Sequence, residues 1–194
     1  DLTMFSTGSG ASATASVGTG YIQQIFLDND GSGFTSTPTV AITTAPSSGT
    51  NATAVAITTT RNNITSISEI LLTNAGAGYT QTPTITISGG GGTGAAATCG
   101  IITAFRGVIS FTITDGGSGF TTTPPVTISV PSLSPTINAS AKAVVSAAGT
   151  ISEIRIANAG AGFLGSGPTV TIGTAATTGI GTYWFNEVIT GSRS

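Results

Sequence analysis

The chain has 194 residues, of which 6 % are charged, and its formal net charge is −2. Soluble domains ordinarily carry roughly 25 % charged residues, and five basic residues scattered between Arg61 and Arg193 cannot neutralise a phosphate track, so no nucleic-acid partner is expected. One cysteine and no histidine exclude an internal disulfide framework and a multi-cysteine zinc site, and no run approaches the ~18 apolar residues of a membrane-spanning helix.

Taken in chain order, the sequence is a set of similar units. Residues 1–17 form a partial repeat: Leu2 to Ala15 matches the second and third strands of the units that follow but lacks their first strand and turn, so the array is expected to start mid-unit. Unit one, 18–60, has an alternating strand from Ile22, the turn Gly31-Ser32-Gly33-Phe34, Pro38, a strand with Val40 and Ile42, and an alternating Ala52, Ala54, Ala56 strand. Unit two, 61–103, repeats this with Ile70 and Leu72, Gly76-Ala77-Gly78-Tyr79, Pro83, Ile85 and Ile87, and Ala95, Ala97 and Cys99. Unit three, 104–147, has Phe111 and Ile113, Gly117-Ser118-Gly119-Phe120, Pro124, Val126 and Ile128, then Ala139, Ala141, Ala143 and Val145. Unit four, 148–194, has Ile154 and Ile156, Gly160-Ala161-Gly162-Phe163, Pro168, and Val170 and Ile172; where its third strand falls stands the aromatic run Tyr183-Trp184-Phe185.

The second glycines, at 33, 78, 119 and 162, are spaced by 45, 41 and 43 residues. Each feature has a mechanism. Apolar residues at every second position mark a strand with one buried face. Gly-x-Gly supplies positive φ for a sharp turn, and the aromatic after it covers that turn. Proline at the mouth of a strand removes a ladder donor where none is needed. Alternating alanines predict close approach of another layer or another chain. Two or three aliphatic side chains per strand, at about 1.5–3 kcal/mol each, yield too little for a unit to stand alone. The fold class is therefore all-β: tandem three-stranded repeats of about 43 residues, stacked into an elongated array as a solenoid, a prism or serial sandwiches.

Few residues offer chemistry. Asp28-Asn29-Asp30-Gly31 resembles the opening of a calcium loop, but Thr39 stands where the closing acid of an EF-hand would be; Asp28 and Asp30 are a weak cation candidate beside the simpler reading of a polar Asx turn. Glu69 and Glu153 are one repeat position seen twice, expected on a solvated face. Cys99 takes an alanine place and reads as a buried small hydrophobe. Asn51, Asn63 and Asn138 match a glycosylation sequon. Tyr183, Trp184 and Phe185 are expected to cap the array or to form a partner surface, with a surface glycan as one such partner. Asp1 in place of an initiator methionine suggests a processed or excised chain. No cofactor is implied, and the chain does not read as an enzyme.

The unit Ile-x-x-Ile-x-Ile-x-Asn-Ala-Gly-x-Gly-Tyr-x-x-x-Pro-Thr-Val-x-Ile, followed by a glycine-rich turn and an Ala/Thr strand, resembles repeats in large virion structural proteins of tailed bacteriophages, especially those of marine cyanobacteria. The resemblance runs through residues 2–17, 20–57, 64–99, 107–145 and 149–172. It implies a scaffold role in a capsid decoration, tail or fibre, located on the virion surface or tail, with itself and other structural subunits as partners and no catalytic residues. A bacterial extracellular filament or surface adhesion protein is the alternative.

Overall fold

A computed structural model of the chain describes residues 8–43, 48–133, 136–165 and 167–174. These form twelve β-strands and no helix. The partial unit supplies β1 (Ser9–Gly18). Unit one supplies β2 (Tyr21–Ser32), β3 (Thr39–Ile42) and β4 (Thr53–Arg61); unit two, β5 (Ile64–Asn74), β6 (Ile85–Ser88) and β7 (Thr93–Ile102). Unit three supplies β8 (Gly107–Ser118), β9 (Val126–Ile128) and β10 (Ser140–Val145), and unit four β11 (Ile151–Asn158) and β12 (Val170–Ile172). Strands therefore lie over the three apolar stretches of each complete unit, as alternation and β-branched content require.

All pairing among the described residues is antiparallel, in several small sheets. Between units one and two, β4 and β5 form a hairpin, β3 pairs β6, and β2 pairs β7. The hairpin turns on Asn62 and Asn63, whose φ values of 51° and 61° suit a tight turn matched to strand twist. Between units three and four, β10 and β11 form the hairpin and β9 pairs β12. The two hairpins join through β11 and β5, at Ile156 opposite Leu72, into a sheet ordered β10-β11-β5-β4. The strand beside β8 comes from outside both units: it is β1.

At the centre, four segments close a ring of backbone hydrogen bonds. Ile22 N–H donates to Ala75 C=O at 2.9 Å and Ala75 N–H to Ile109 C=O at 2.8 Å; Val108 N–H donates to Ala159 C=O at 2.8 Å and Ala159 N–H to Gln23 C=O at 2.7 Å. The second pair repeats the first with each unit replaced by the one two places on. Around the ring packs the main core, with Tyr21, Ile22, Leu72, Ala75, Tyr79, Val108, Ile156, Ala159 and Phe163 all buried. Two smaller clusters flank it and also correspond: Phe34, Ala56, Ile67 and Ile70 on one side, Phe120, Ala143, Ile151 and Ile154 on the other. The aromatic after each Gly-x-Gly is thus a core anchor in all four units.

Alternation fails at the starts of β2 and β8, where Tyr21 and Ile22, and Gly107 and Val108, are buried in succession, and within β5. Leu71 is buried together with Ile70 and Leu72, because β5 lies in the middle of the four-stranded sheet and also packs against β2. The two halves differ in a second respect. Tyr21 is fully buried and its hydroxyl donates to Gly160 C=O, while the corresponding position in β8 is Gly107, which leaves room for that ring. Burial pushes the Tyr21 phenol pKa well above its ordinary value. Tyr79 has a different polar role: its hydroxyl accepts from Ala52 N–H at 3.0 Å and donates to Thr43 C=O at 3.3 Å. Tyr79→Phe would strand the buried Ala52 amide and is expected to cost about 1–3 kcal/mol; chemical unfolding followed by circular dichroism measures it.

Candidate functional site

The chemistry-bearing side chains are dispersed and mostly occupied by structure. Asn29, Asn74, Asp115 and Asn158 each accept the N–H of the glycine two residues on through Oδ1, at 2.8–2.9 Å. This Asx turn recurs in all four units and fixes the entry into Gly-x-Gly. In unit one Asn29, the middle residue of the acidic run, makes that bond, and exposed Asp28 accepts from the Thr98 hydroxyl at 3.2 Å. Among the described residues no three His, Cys, Asp or Glu side chains gather closely enough to hold a metal ion.

Glu69 and Glu153 are separate and each ion-paired. Lys142 Nζ donates to Glu69 at 2.6 Å, reaching across β11 from β10 to β5, and Arg155 Nε donates to Glu153 at 2.8 Å. Both pairs are partly exposed, so each contributes at most about 1 kcal/mol. Cys99 is buried on β7, with Sγ–H toward Pro83 C=O at 3.6 Å, and burial raises its pKa. A thiol reagent should therefore modify Cys99 at least roughly a hundredfold more slowly than a free peptide thiol, because reaction needs both local opening and the thiolate. The rate should still be climbing at pH values where a free thiol has levelled off. Timed absorbance at increasing pH checks this.

Tyr183, Trp184 and Phe185 lie outside the described residues. Large apolar side chains exposed among the described ones are Phe26, Ile64, Val130, Leu133 and Leu164. Leu133 N–H donates to Gly162 C=O at 3.0 Å, which sets Leu133 beside the loop that carries Leu164. A shallow depression lies between the Gly119-Phe120-Thr121 turn and the hairpin turn at residues 145–149; its lining is uncharged.

The feature with the most defined geometry is the edge of β8, where β1 docks. Nine residue pairs join the strands, from Ser9 opposite Ser118 to Gly18 opposite Gly107, with register shifts at Ser12/Ala13 and Ser16/Val17. The β2–β7 pair also has nine, from Ser32 opposite Thr93 to Tyr21 opposite Ile102, and its two shifts fall at the corresponding places. The contacts correspond too: Gly8 lies against the Phe120 ring as Gly92 lies against Phe34. Hence β1 occupies beside β8 the position that unit two's third strand occupies beside β2. Sequence reasoning identified β1 as a third strand by its Ala11, Ala13, Ala15 alternation, but the partner of a third strand is set by long-range register, which alternation does not encode.

No protein-family model, curated protein or solved structure matches the chain.

Proposed function

We propose that this chain is a structural protein of a virus particle: a capsid decoration or a tail or fibre component of a tailed bacteriophage, built from β repeats and assembled with copies of itself and other structural subunits. The observation that carries the reading is the correspondence between the β1–β8 and β2–β7 ladders. A fold that accepts third strands from different units in one register is suited to building by strand addition. Two further observations support it. Polar side chains are spent on local turns and cross-strand hydroxyl pairs, such as Ser12 with Thr114 and Thr60 with Thr65. A chain with 6 % charged residues gives little mutual repulsion between copies. The finer architecture follows as part of the proposal: units couple in twos, and coupled pairs extend into a longer repeat assembly on the virion surface or tail.

Electron microscopy of source particles, with an antibody raised against the purified chain, tests this. The expected result is label repeated on a capsid or tail. Label on free periodic filaments or cell surfaces would replace the viral reading with the bacterial filament or adhesion reading. Turnover in a glycan-cleavage assay would overturn the structural reading itself.

A further inference from the structure

We infer that the edge of β8 is an acceptor for the β1 segment of a second copy of this chain, so that copies join by exchanging residues 8–18. The inference rests on the structural-repeat reading and adds the joint through which copies connect.

What β8 receives is an antiparallel backbone ladder and a row of small half-buried side chains, Ala11, Ala13, Ala15 and Val17. Any copy of the chain presents the same row. The receiving side is built for a strand delivered from elsewhere, since the matching edge of β2 takes β7 from a different unit in the same register and with the same two irregularities. The end contacts are equally indifferent to source: Arg106 Nη2 donates to Val17 C=O at 3.0 Å, a main-chain group.

β1 is also the third strand most easily released. Every one of its residues is exposed or half-buried, whereas β7 sinks Cys99 into the core and β4 and β10 sink Ala56 and Ala143. Its covalent tie to β2 is the short link through Thr19 and Gly20. A β1–β8 pair between copies makes every ladder bond that the pair within a chain makes, so the cost of exchange falls on the link, where Thr19 C=O accepts from Gly78 N–H at 3.1 Å and Gly20 C=O from Tyr79 N–H at 2.7 Å, and swapping an identical element is a low-cost route to association. The low charge of the chain opposes the approach of copies only weakly.

Ser12 and Thr114 report on the joint, because their hydroxyl oxygens lie 2.7 Å apart on the exposed face of the ladder. In a Cys99→Ala background, one chain carries Ser12→Cys and another Thr114→Cys; the two are mixed at high concentration, annealed and oxidised. The expected result is a disulfide-linked heterodimer. It should exceed by roughly tenfold or more the product of Ser12→Cys with Ser68→Cys, on a distant strand, because docking raises the local thiol concentration far above bulk. A yield no better than that control, while a single chain bearing both Ser12→Cys and Thr114→Cys closes on itself as a monomer, overturns the exchange. Sedimentation of the unmodified chain separates the two failures. Oligomers without the cross-link overturn the strand joint and leave the self-assembling reading standing; monomers at every concentration overturn both.

Discussion

Replacing Gly107 by alanine is expected to destabilise the protein by about 1–3 kcal/mol, the usual cost of forcing volume into a filled core. The added carbon would overlap the Tyr21 ring, which is fully buried and cannot swing aside without giving up its hydroxyl bond to Gly160. The opposite change, Tyr21→Gly, removes the largest fully buried side chain and should cost about 3–5 kcal/mol, as aromatic truncations in cores do. The two halves correspond, so the double variant is the informative one. With Tyr21→Gly and Gly107→Tyr together, the ring enters from β8 and its hydroxyl faces Gly76, the counterpart of Gly160. Urea unfolding monitored by circular dichroism should show the double variant recovering most of the loss of Tyr21→Gly. Additive losses would show that the halves are not interchangeable at their centre.

The second large effect separates the two glycines of a Gly-x-Gly turn, which the sequence presents as equals. Both Gly31 and Gly33 have positive φ, at 61° and 79°. A Cβ on Gly33 would meet nothing within 4 Å, so Gly33→Ala should cost only the left-handed backbone penalty, about 1–2 kcal/mol. A Cβ on Gly31 would lie 2.7 Å from Thr93 C=O oxygen and 2.8 Å from Ala95 N, both main-chain atoms of β7. Gly31→Ala adds that overpacking to the conformational penalty and is expected to cost about 3–5 kcal/mol. Thermal and urea unfolding of the two single variants compare them directly. Equal losses would mean that the turn needs conformational freedom alone and that the strand does not press against it.

The contrast shows what the sequence could reveal. Local features were legible: the strands among the described residues, the turns at Gly-x-Gly, and the anchoring role of Phe34, Tyr79, Phe120 and Phe163 follow from alternation, glycine placement and aromatic size. The repeated Asx turn at Asn29, Asn74, Asp115 and Asn158 was foreseen only at the acidic stretch, although the same residue class recurs two places before each first glycine. Pairing between units was not legible. Nothing in the composition of β1 says that it lies against β8, because its alanines would suit any third-strand position. Nor does Tyr21 announce itself in sequence, since its importance comes from meeting Gly107 across the centre, and that meeting depends on how two distant units are brought together. The ion pair between Lys142 and Glu69 belongs to the same category, made by hairpins from different units.

If units couple in twos about a shared centre, the four ring amides must open together. Amide hydrogen exchange resolved residue by residue by NMR measures this under native conditions. The amides of Ile22, Ala75, Val108 and Ala159 are expected to exchange only by global unfolding and to yield the same opening free energy. Slow exchange at Ile22 and Ala75 with loop-like exchange at Val108 and Ala159 would contradict it, because one coupled pair would then stand without the other.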